Sequence, residues 1–255
     1  PDLPKAYQIS QYDIPLCENG EISFYVGEDK KTVRIRRIHI EEDAGKLLHD
    51  NRFSGTLVDF NRRGIPLIEI VSQPDMHSPE EARAYLEALK AVLECLGICN
   101  CRMQEGNIRC DVNVSIRPAG SDQLGNRVEM KNVNTFSGAV RGIEYEIKRQ
   151  IEVVEAGGHI EQETRRWDDD RGESLSMRSK EDAQDYRYFP EPDLVPIRLD
   201  EAYVQSIRES LPELPLSKYE RYWKENGLTP YEASMLSTDK DKAAFFEACL
   251  EKDAS

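Results

Sequence analysis

The chain has 255 residues, of which 39% are hydrophobic and 32% charged. This composition is typical of a globular protein, and no apolar run approaches the roughly 18 residues of a membrane span, so a membrane protein is excluded. The formal net charge of −14 argues against a protein that coats nucleic acid through counterion release. A nucleic-acid partner would have to contact local basic patches: Arg34, Arg36 and Arg37; Arg62 and Arg63; Arg165 and Arg166.

The 6 cysteines form no Cys-x-x-Cys pair, the spacing typical of zinc and redox sites. We therefore expect reduced thiols and a cytoplasmic location, with an organelle matrix as the other possibility. The chain begins at Pro1 without an initiator Met, and its last residues carry no helix stop signal. We expect that both natural ends are missing.

Residues 1–76 alternate short β-prone runs with turn signals. The first helix is predicted from the capping sequence at Ser78 to Gly97, and its apolar spacing suggests that it packs on a sheet. A strand follows at 108–117, where apolar and polar residues alternate strictly. Strict alternation favours an antiparallel sheet, because central parallel strands are buried on both faces.

A short strand at 127–133 precedes a second helix, predicted at 137–156. A hairpin is predicted to turn at 168–172, where three aspartates suggest either a solvated turn or, less favoured by their spacing, a metal loop. Prolines predict an extended segment at 188–194. Short helices follow, so we place a domain boundary near residue 198 and predict an α+β fold.

In the strand 33–40 the apolar phase slips at Arg36-Arg37, which predicts a β-bulge. The strand leads into Glu41-Glu42-Asp43. By itself this acidic run fits a solvated loop. Other carboxylates make a functional site the alternative.

Glu69 lies in the middle of an otherwise apolar run, 65–71, which predicts a strand buried on both faces. Asp111 lies at the centre of the alternating strand 108–117. A buried carboxylate needs a basic partner, a cation or a proton. Carboxylates on separate strands, together with the acidic run, suit a cavity that holds Mg²⁺, since this ion prefers oxygen ligands and keeps waters that phosphate oxygens can replace.

Arg109, Lys46 and Lys131 are candidates to meet the phosphate charge. For Asp111 the sequence leaves two interpretations open with equal weight, a metal ligand or a cross-strand salt bridge with Arg109. His39 alternates with Ile38 and Ile40 and either faces the same cavity or is an ordinary strand histidine. The chain contains no phosphate loop, dinucleotide fingerprint or hydrolase triad motif.

Six ordered motifs resemble the B subunit of the bacterial and organellar tRNA-dependent amidotransferase, whose archaeal relative is the E subunit. They cover nearly all of residues 1–198. The motifs are KAYQISQ at 5–11, HIEEDAGK at 39–46, VDFNRRGIPLIE at 58–69, EGNIRCDVN at 105–113, EMKNVN at 129–134 and DYRYFPEPD at 185–193.

The resemblance implies a cradle-shaped catalytic domain at 1–198, built on an antiparallel sheet and related to glutamine synthetase. At 199–255 it implies the beginning of a small all-α domain. It also implies a further mobile domain that grips tRNA and is absent from this sequence. Affinity for tRNA is accordingly expected to be weak.

The implied reaction uses ATP and Mg²⁺ to phosphorylate the side-chain carboxylate of Glu on a misacylated glutamine tRNA, or of Asp on an asparagine tRNA. Ammonia then displaces phosphate to form the amide. The implied partners are an amidase-class glutaminase, the A subunit, which supplies ammonia, and a small C subunit that clamps the pair.

Carried over from the resemblance, Glu42, Glu69 and Asp111 match acidic metal-binding positions, with Glu41 beside them. The family has an N-terminal strand with further metal ligands that this sequence lacks, so we expect the metal site to be incomplete. The competing interpretation from the residues is a non-catalytic module that binds tRNA or another protein, in which the acids only form salt bridges.

Overall fold

The computed structural model of the chain describes residues 9–49, 55–178 and 193–253. Two compact units share this chain discontinuously. Within the described part, the first unit contains residues 9–22, 32–49, 55–75 and 193–203, and the second contains residues 23–31, 76–178 and 204–253. This division does not follow the boundary expected near residue 198, because the tip of the first hairpin and the C-terminal helices group with the second unit.

Strands dominate residues 9–75, as predicted. β1, β2 and β5 form a 3-stranded sheet in the order β1-β2-β5, and β3 pairs with β4 in a separate hairpin. The strands are β1 (Cys17–Val26), β2 (Asp29–Glu42), β3 (Lys46–His49), β4 (Thr56–Asp59) and β5 (Pro66–Ser72). β2 and β5 run antiparallel, with His39 opposite Glu69 and Glu41 opposite Leu67.

The predicted β-bulge is confirmed. The β2–β5 register shifts between Ile35 and Arg37, leaving Arg36 as the extra residue. The bulge keeps the apolar Ile38 on the face of Ile35 and turns Arg37 and every second residue after it to the other face. The polar side chains of the strand therefore share one face.

The prediction that the strand around Glu69 is buried on both faces is wrong. β5 is an edge strand of its sheet, and Ile68 is 49% exposed. A continuous apolar run does not distinguish a central strand from an edge strand.

The second unit is built on a 4-stranded sheet in the order β6-β7-β8-β9. Its strands are β6 (Cys110–Val114), β7 (Val128–Val133), β8 (Glu163–Asp168) and β9 (Glu173–Arg178). The predicted hairpin of β8 and β9 is confirmed, but the expectation of a wholly antiparallel sheet is wrong, because β7 and β8 are parallel. The helix between them returns the chain to the same edge, so β7 can have a polar face beside a parallel neighbour.

Six α-helices belong to the described residues: α1 (Pro79–Cys95), α2 (Phe136–Glu155), α3 (Glu201–Ser210), α4 (Pro215–Lys224), α5 (Pro230–Ser237) and α6 (Lys240–Asp253). α1 begins as predicted, with Ser78 Oγ accepting the Glu81 backbone N–H at 3.1 Å. Thr135 caps α2 in the same way through Gly138 N–H at 2.8 Å. Such caps satisfy donors that a helix leaves free at its first turn.

The core of the second unit joins these helices to the sheet. Ala82 of α1 and Ile143 of α2 pack with Val114 and Met130 of the sheet. The predicted inward face of α2 is only partly right, since Ile151 is 40% exposed while Glu146 is fully buried.

Glu146 is held by a polar network. Its carboxylate accepts hydrogen bonds from Arg149 Nη2 at 2.6 Å, Gln150 Nε2 at 3.0 Å and Ser174 Oγ at 3.1 Å. Arg165 Nε adds an ion pair at 3.7 Å. A fully buried charge is tolerated because it is paired and hydrogen-bonded.

The tip of the β1–β2 hairpin packs on α4. Tyr25 Oη donates to Glu220 Oε1 at 2.8 Å, and Lys30 Nζ lies 2.9 Å from the same oxygen. The Tyr25 ring also contacts the rings of Tyr219 and Trp223. These contacts explain why the hairpin tip groups with the helices.

Within the described ranges, the helices are all too short or too polar to span a bilayer. The 6 cysteines are free thiols. Burial raises the pKa of Cys110 to about 12 and that of Cys101 also to about 12, which makes both thiols poor nucleophiles. Of the extended segment expected at 188–194, all but the last two positions lie outside the described residues.

Candidate functional site

The register of β2 and β5 brings His39, Glu41 and Glu69 together in the first unit. His39 lies directly opposite Glu69, and Glu41 is two residues further along β2 on the same face. Side chains opposite one another in an antiparallel pair are close enough to interact. We call these three residues the His39 cluster.

The contacts within the His39 cluster are short. His39 Nε2 lies 2.9 Å from Glu41 Oε1 and 3.2 Å from Glu69 Oε2. The imidazole is fully buried, while the Glu41 side chain is 13% exposed and that of Glu69 48% exposed. Ser10 Oγ donates to Glu41 Oε1 at 2.9 Å. The cluster therefore has a buried floor and one carboxylate that opens to solvent.

Negative charge is in excess in this cluster. Burial raises the pKa of the Glu69 carboxyl above its ordinary value, and the neighbouring Glu41 carboxylate raises it further, although His39 and Arg37 oppose the shift. Two carboxylates about 4 Å apart repel by roughly 4 kcal/mol at an effective dielectric of 20. A proton or a cation between them would remove this repulsion.

The donor atoms fit a divalent cation. One ligand atom from each of the three side chains lies within 4.8 Å of the others, and in the part of the chain that the structure describes this is the one group of three or more such residues. His39 Nδ1 is buried without a hydrogen-bond partner among these residues. Two carboxylates suit Mg²⁺ or Mn²⁺, and an imidazole nitrogen is compatible with Mn²⁺ or Zn²⁺ as well.

The other acids of the predicted site lie elsewhere. Alternation along β2 puts Glu42 on the opposite face from Glu69, and Glu42 Oε2 is buried without a hydrogen-bond partner among the described residues. Asp43 Oδ2 forms an ion pair with Arg62 Nε at 2.9 Å. Lys46 begins β3, and its side chain lies outside what the structure describes.

Asp111 belongs to the second unit, where it pairs with a lysine. Lys131 Nζ lies 3.0 Å from Asp111 Oδ2 and 3.3 Å from Glu129 Oε1. Burial alone would lower the pKa of Lys131, but the two carboxylates outweigh this effect and raise it. Glu129 also accepts a hydrogen bond from Thr164 Oγ1 at 3.0 Å. The charge of Asp111 is thus balanced within its own sheet.

A second β-bulge produces this pairing. Cys110 lies opposite Val133 and Val112 opposite Met130, so β7 has two residues opposite the single Asp111. Asn132, one of the two, has a φ of 66°, a left-handed conformation that Asn tolerates better than most residues. The salt bridge expected for Asp111 is therefore present, with Lys131 as the partner. Arg109 precedes β6 by one residue.

The three aspartates at 168–170 form a structural turn. Asp169 accepts hydrogen bonds from Trp167 Nε1 at 2.8 Å and Arg141 Nη2 at 2.6 Å. These donors lower the pKa of Asp169. The turn thus has a role that needs no metal.

The predicted basic patches are largely neutralised by ion pairs inside each unit. Arg34 pairs with Asp75 at 2.6 Å, and Arg165 pairs with Glu163 at 2.8 Å. Arg37 differs, because its guanidinium lies over the ring of Tyr12, with 4.2 Å from its central carbon to the ring centroid.

The sequence did not identify Ser10, Tyr12 or Arg37 as neighbours of the acids. The bulge signal did imply that Arg37, His39 and Glu41 share one face of β2. The approach of residues 9–12 along the strand, seen in the Ser10–Glu41 bridge, had no signal of its own in the sequence.

Comparison with known proteins agrees with the motifs. Residues 1–205 match the family described as the GatB/GatE catalytic domain. The chain is 60% identical over 250 residues to the B subunit of the aspartyl/glutamyl-tRNA(Asn/Gln) amidotransferase from Caldicellulosiruptor bescii, a match that covers 98% of this chain and 52% of that protein.

Two further relatives have the same name. The protein of Thermoanaerobacter sp. is 57% identical over 255 residues, covering 100% of this chain and 54% of the relative. That of Anaeromyxobacter sp. is 52% identical over 250 residues, covering 98% and 52%. The chain spans about half the length of the curated relatives it matches. From the family match and these identities, the chain belongs to the GatB/GatE family, to whose catalytic domain most of its residues correspond.

Proposed function

We propose that the chain is the catalytic part of the B subunit of a tRNA-dependent amidotransferase. ATP phosphorylates the side-chain carboxylate of Glu on tRNA(Gln) or Asp on tRNA(Asn), and ammonia then displaces phosphate to give the amide. The observation that carries the proposal is the His39 cluster, a group of charged side chains that needs a cation, in a chain whose relatives are named amidotransferases.

In this proposal Glu41 and Glu69 hold Mg²⁺, with His39 Nε2 as the third donor. The cation would supply Lewis acidity that polarises a phosphoryl oxygen of ATP. Ser10 orients the Glu41 carboxylate through its hydrogen bond, and burial fixes the imidazole between the two acids. Glu41, rather than Glu42, is the ligand that we assign to this strand, because it shares a face with Glu69.

Asp111 and Lys131 act together in a second role. Lys131 is a candidate to bind phosphate charge, and Asp111 and Glu129 keep it protonated and in place. Arg109 and Lys46 remain further candidates for phosphate contacts. The ion pair supports a positioning role for Asp111 over a place in the metal shell.

The rest of the assembly follows from the family. We propose that ammonia is delivered by an amidase-class glutaminase A subunit, that a small C subunit joins the two, and that misacylated tRNA is the substrate. The fold is proposed to be a cradle related to glutamine synthetase, followed by a helical domain.

The test is made in the full-length amidotransferase complex. Glu41→Gln and Glu69→Gln are expected to reduce Mg²⁺ affinity, measured by calorimetry, and to lower the rate of ATP-dependent amidation by about 10²–10³-fold, since each removes a charged group that acts at the phosphoryl transfer. Glu21→Gln, an exposed acid on β1, is the matched control. Normal affinity and turnover in both cluster variants would refute the proposal.

A second comparison separates the two adjacent acids of β2. Glu42→Gln is expected to keep Mg²⁺ affinity, while Glu41→Gln loses it. The reverse result would move the metal site to the other face of the sheet.

The competing function is a binding module without catalysis, and the Asp111–Lys131 ion pair is the observation that favours it. It predicts that nucleotide binding does not depend on Mg²⁺ and that Asp111→Asn has no effect on turnover. The catalytic proposal predicts Mg²⁺-dependent nucleotide binding.

A further inference from the structure

One arginine beside the His39 cluster has a buried donor that the described residues leave unsatisfied. Arg37 lies on β2 on the same face as His39 and Glu41. Its Nε is buried and has no hydrogen-bond acceptor among the described residues. A buried guanidinium N–H without an acceptor is costly, so this donor points to a ligand.

Nearby arginines show the ordinary alternative. Arg34 of the same strand donates to both carboxylate oxygens of Asp75, at 2.8 and 2.6 Å. Arg62 pairs with Asp43 at 2.9 Å. Both have an acid that explains their position, whereas the contact that positions Arg37 is the face of an aromatic ring.

Tyr12 links Arg37 to the cluster. Its ring lies beneath the guanidinium at 4.2 Å, and it also meets the His39 ring edge-on, with 6.0 Å between ring centroids. A cation over an aromatic face is attracted by the ring quadrupole and keeps its N–H groups in the ring-parallel plane. Tyr12 therefore orients Arg37 without consuming its hydrogen-bond donors.

Charge identifies the class of ligand. A divalent cation would neutralise the two carboxylates of the cluster, and the positive charge of Arg37 would then be in excess. A planar guanidinium with available donors is well suited to oxyanions, above all phosphate. An anion that touches both the cation and Arg37 would satisfy the buried Nε.

We propose that Arg37 binds the terminal phosphoryl group of ATP and stabilises it during transfer. This inference rests on the proposed function. In the transfer the bond between the γ-phosphorus and the β,γ-bridging oxygen breaks, a bond from that phosphorus to a carboxylate oxygen of the aminoacyl side chain forms, and ADP leaves. Arg37 contributes charge and hydrogen bonds and exchanges no proton.

Nucleotide binding tests this assignment in the full-length complex. Arg37→Ala is expected to weaken calorimetric binding of a nonhydrolysable ATP analogue with Mg²⁺ by about 10- to 100-fold, the range for hydrogen bonds to a charged group. Binding of ADP and of Mg²⁺ alone should stay at wild-type levels, because neither has the γ-phosphate. Arg36→Ala, the exposed neighbour, is the matched control and should bind like wild type.

Two conservative variants test the geometry. Arg37→Lys keeps the charge but loses the planar fork, so its affinity for the analogue should fall between wild type and Arg37→Ala. Tyr12→Leu should behave like Arg37→Ala, while Tyr12→Phe, which keeps the ring, should not. Thermal unfolding of each variant shows whether it is folded.

Several results would overturn the assignment. Wild-type affinity for the analogue in Arg37→Ala would do so, as would an equal loss of ADP and analogue. A raised KM for aminoacyl-tRNA with unchanged analogue binding would instead assign Arg37 to the substrate carboxylate. If Glu41→Gln and Glu69→Gln also keep full activity, the proposed function itself has failed, which is a separate result.

Discussion

Carboxylates on the two sheets of this chain differ in how their charge is balanced. On the β2–β5 pair, Glu41 and Glu69 share a single histidine, and the pKa of Glu69 is raised. In the second unit, Asp111 has Lys131, and the fully buried Glu146 is surrounded by arginine, glutamine and serine donors.

The difference separates structural acids from functional ones. An acid whose charge is met by neighbouring side chains stabilises the fold, and its loss is felt as instability. An acid left with excess negative charge stores a cost that a ligand can remove, which is why perturbed carboxylates mark candidate sites. The predictions below test this distinction, beginning with the largest expected effect.

Glu146→Ala should destabilise the protein by about 3–5 kcal/mol, because it leaves buried arginine charge without its partner. Urea denaturation followed by circular dichroism measures this loss. Glu144→Ala, an exposed acid on the same helix, should change stability by less than about 0.5 kcal/mol. Equal effects of the two substitutions would show that the network does not support the fold.

Mg²⁺ or Mn²⁺ should raise the unfolding temperature of the wild-type protein and not that of Glu69→Gln. A ligand at about 100 times its Kd stabilises the native state by about 2.7 kcal/mol. Differential scanning fluorimetry with and without the ion gives the shift. An equal shift in the variant would place the cation away from the His39 cluster.

Asp111→Asn should cost at most about 1 kcal/mol, the range for an exposed ion pair, and should leave Mg²⁺ affinity unchanged. The Asp111 side chain is 50% exposed, so screening limits its contribution. Chemical denaturation and calorimetry provide the two measurements. A loss of Mg²⁺ affinity would return Asp111 to the metal shell and remove the contrast between the sheets.

Without added metal, Glu69→Gln should stabilise the protein at neutral pH by a few tenths of a kcal/mol, a small value because the side chain is 48% exposed. Since the pKa of Glu69 is raised in the folded state, the native protein binds more protons than the unfolded chain at pH values between the ordinary and the raised pKa. Wild-type stability should therefore rise as the pH falls through the raised pKa. Stability measured across pH 4–7 should show a flatter profile for the variant; identical profiles would contradict the shift.

Local chemistry made much of the fold predictable. The caps at Ser78 and Thr135 act within one helical turn, so the starts of both long helices follow from short sequence windows. The bulge at Arg36 and the β8–β9 hairpin have similarly local signatures.

Contacts between distant segments were not predictable in the same way. The parallel pairing of β7 with β8 and the edge position of β5 depend on which strands meet. The burial of Glu146 depends on a strand, β9, that supplies Ser174 from elsewhere in the chain. Alternation assigns a residue to a face, but it does not say what lies on that face.

The candidate site divides along the same line. Motif order and the isolated acid at Glu69 already indicated a family and a cation site on strands. Which acid of the Glu41-Glu42 pair joins it, and which arginine lies beside it, were decided by the β2–β5 register and by the approach of Tyr12. Those are properties of paired backbones, because a shift of one residue moves every side chain of a strand to the other face.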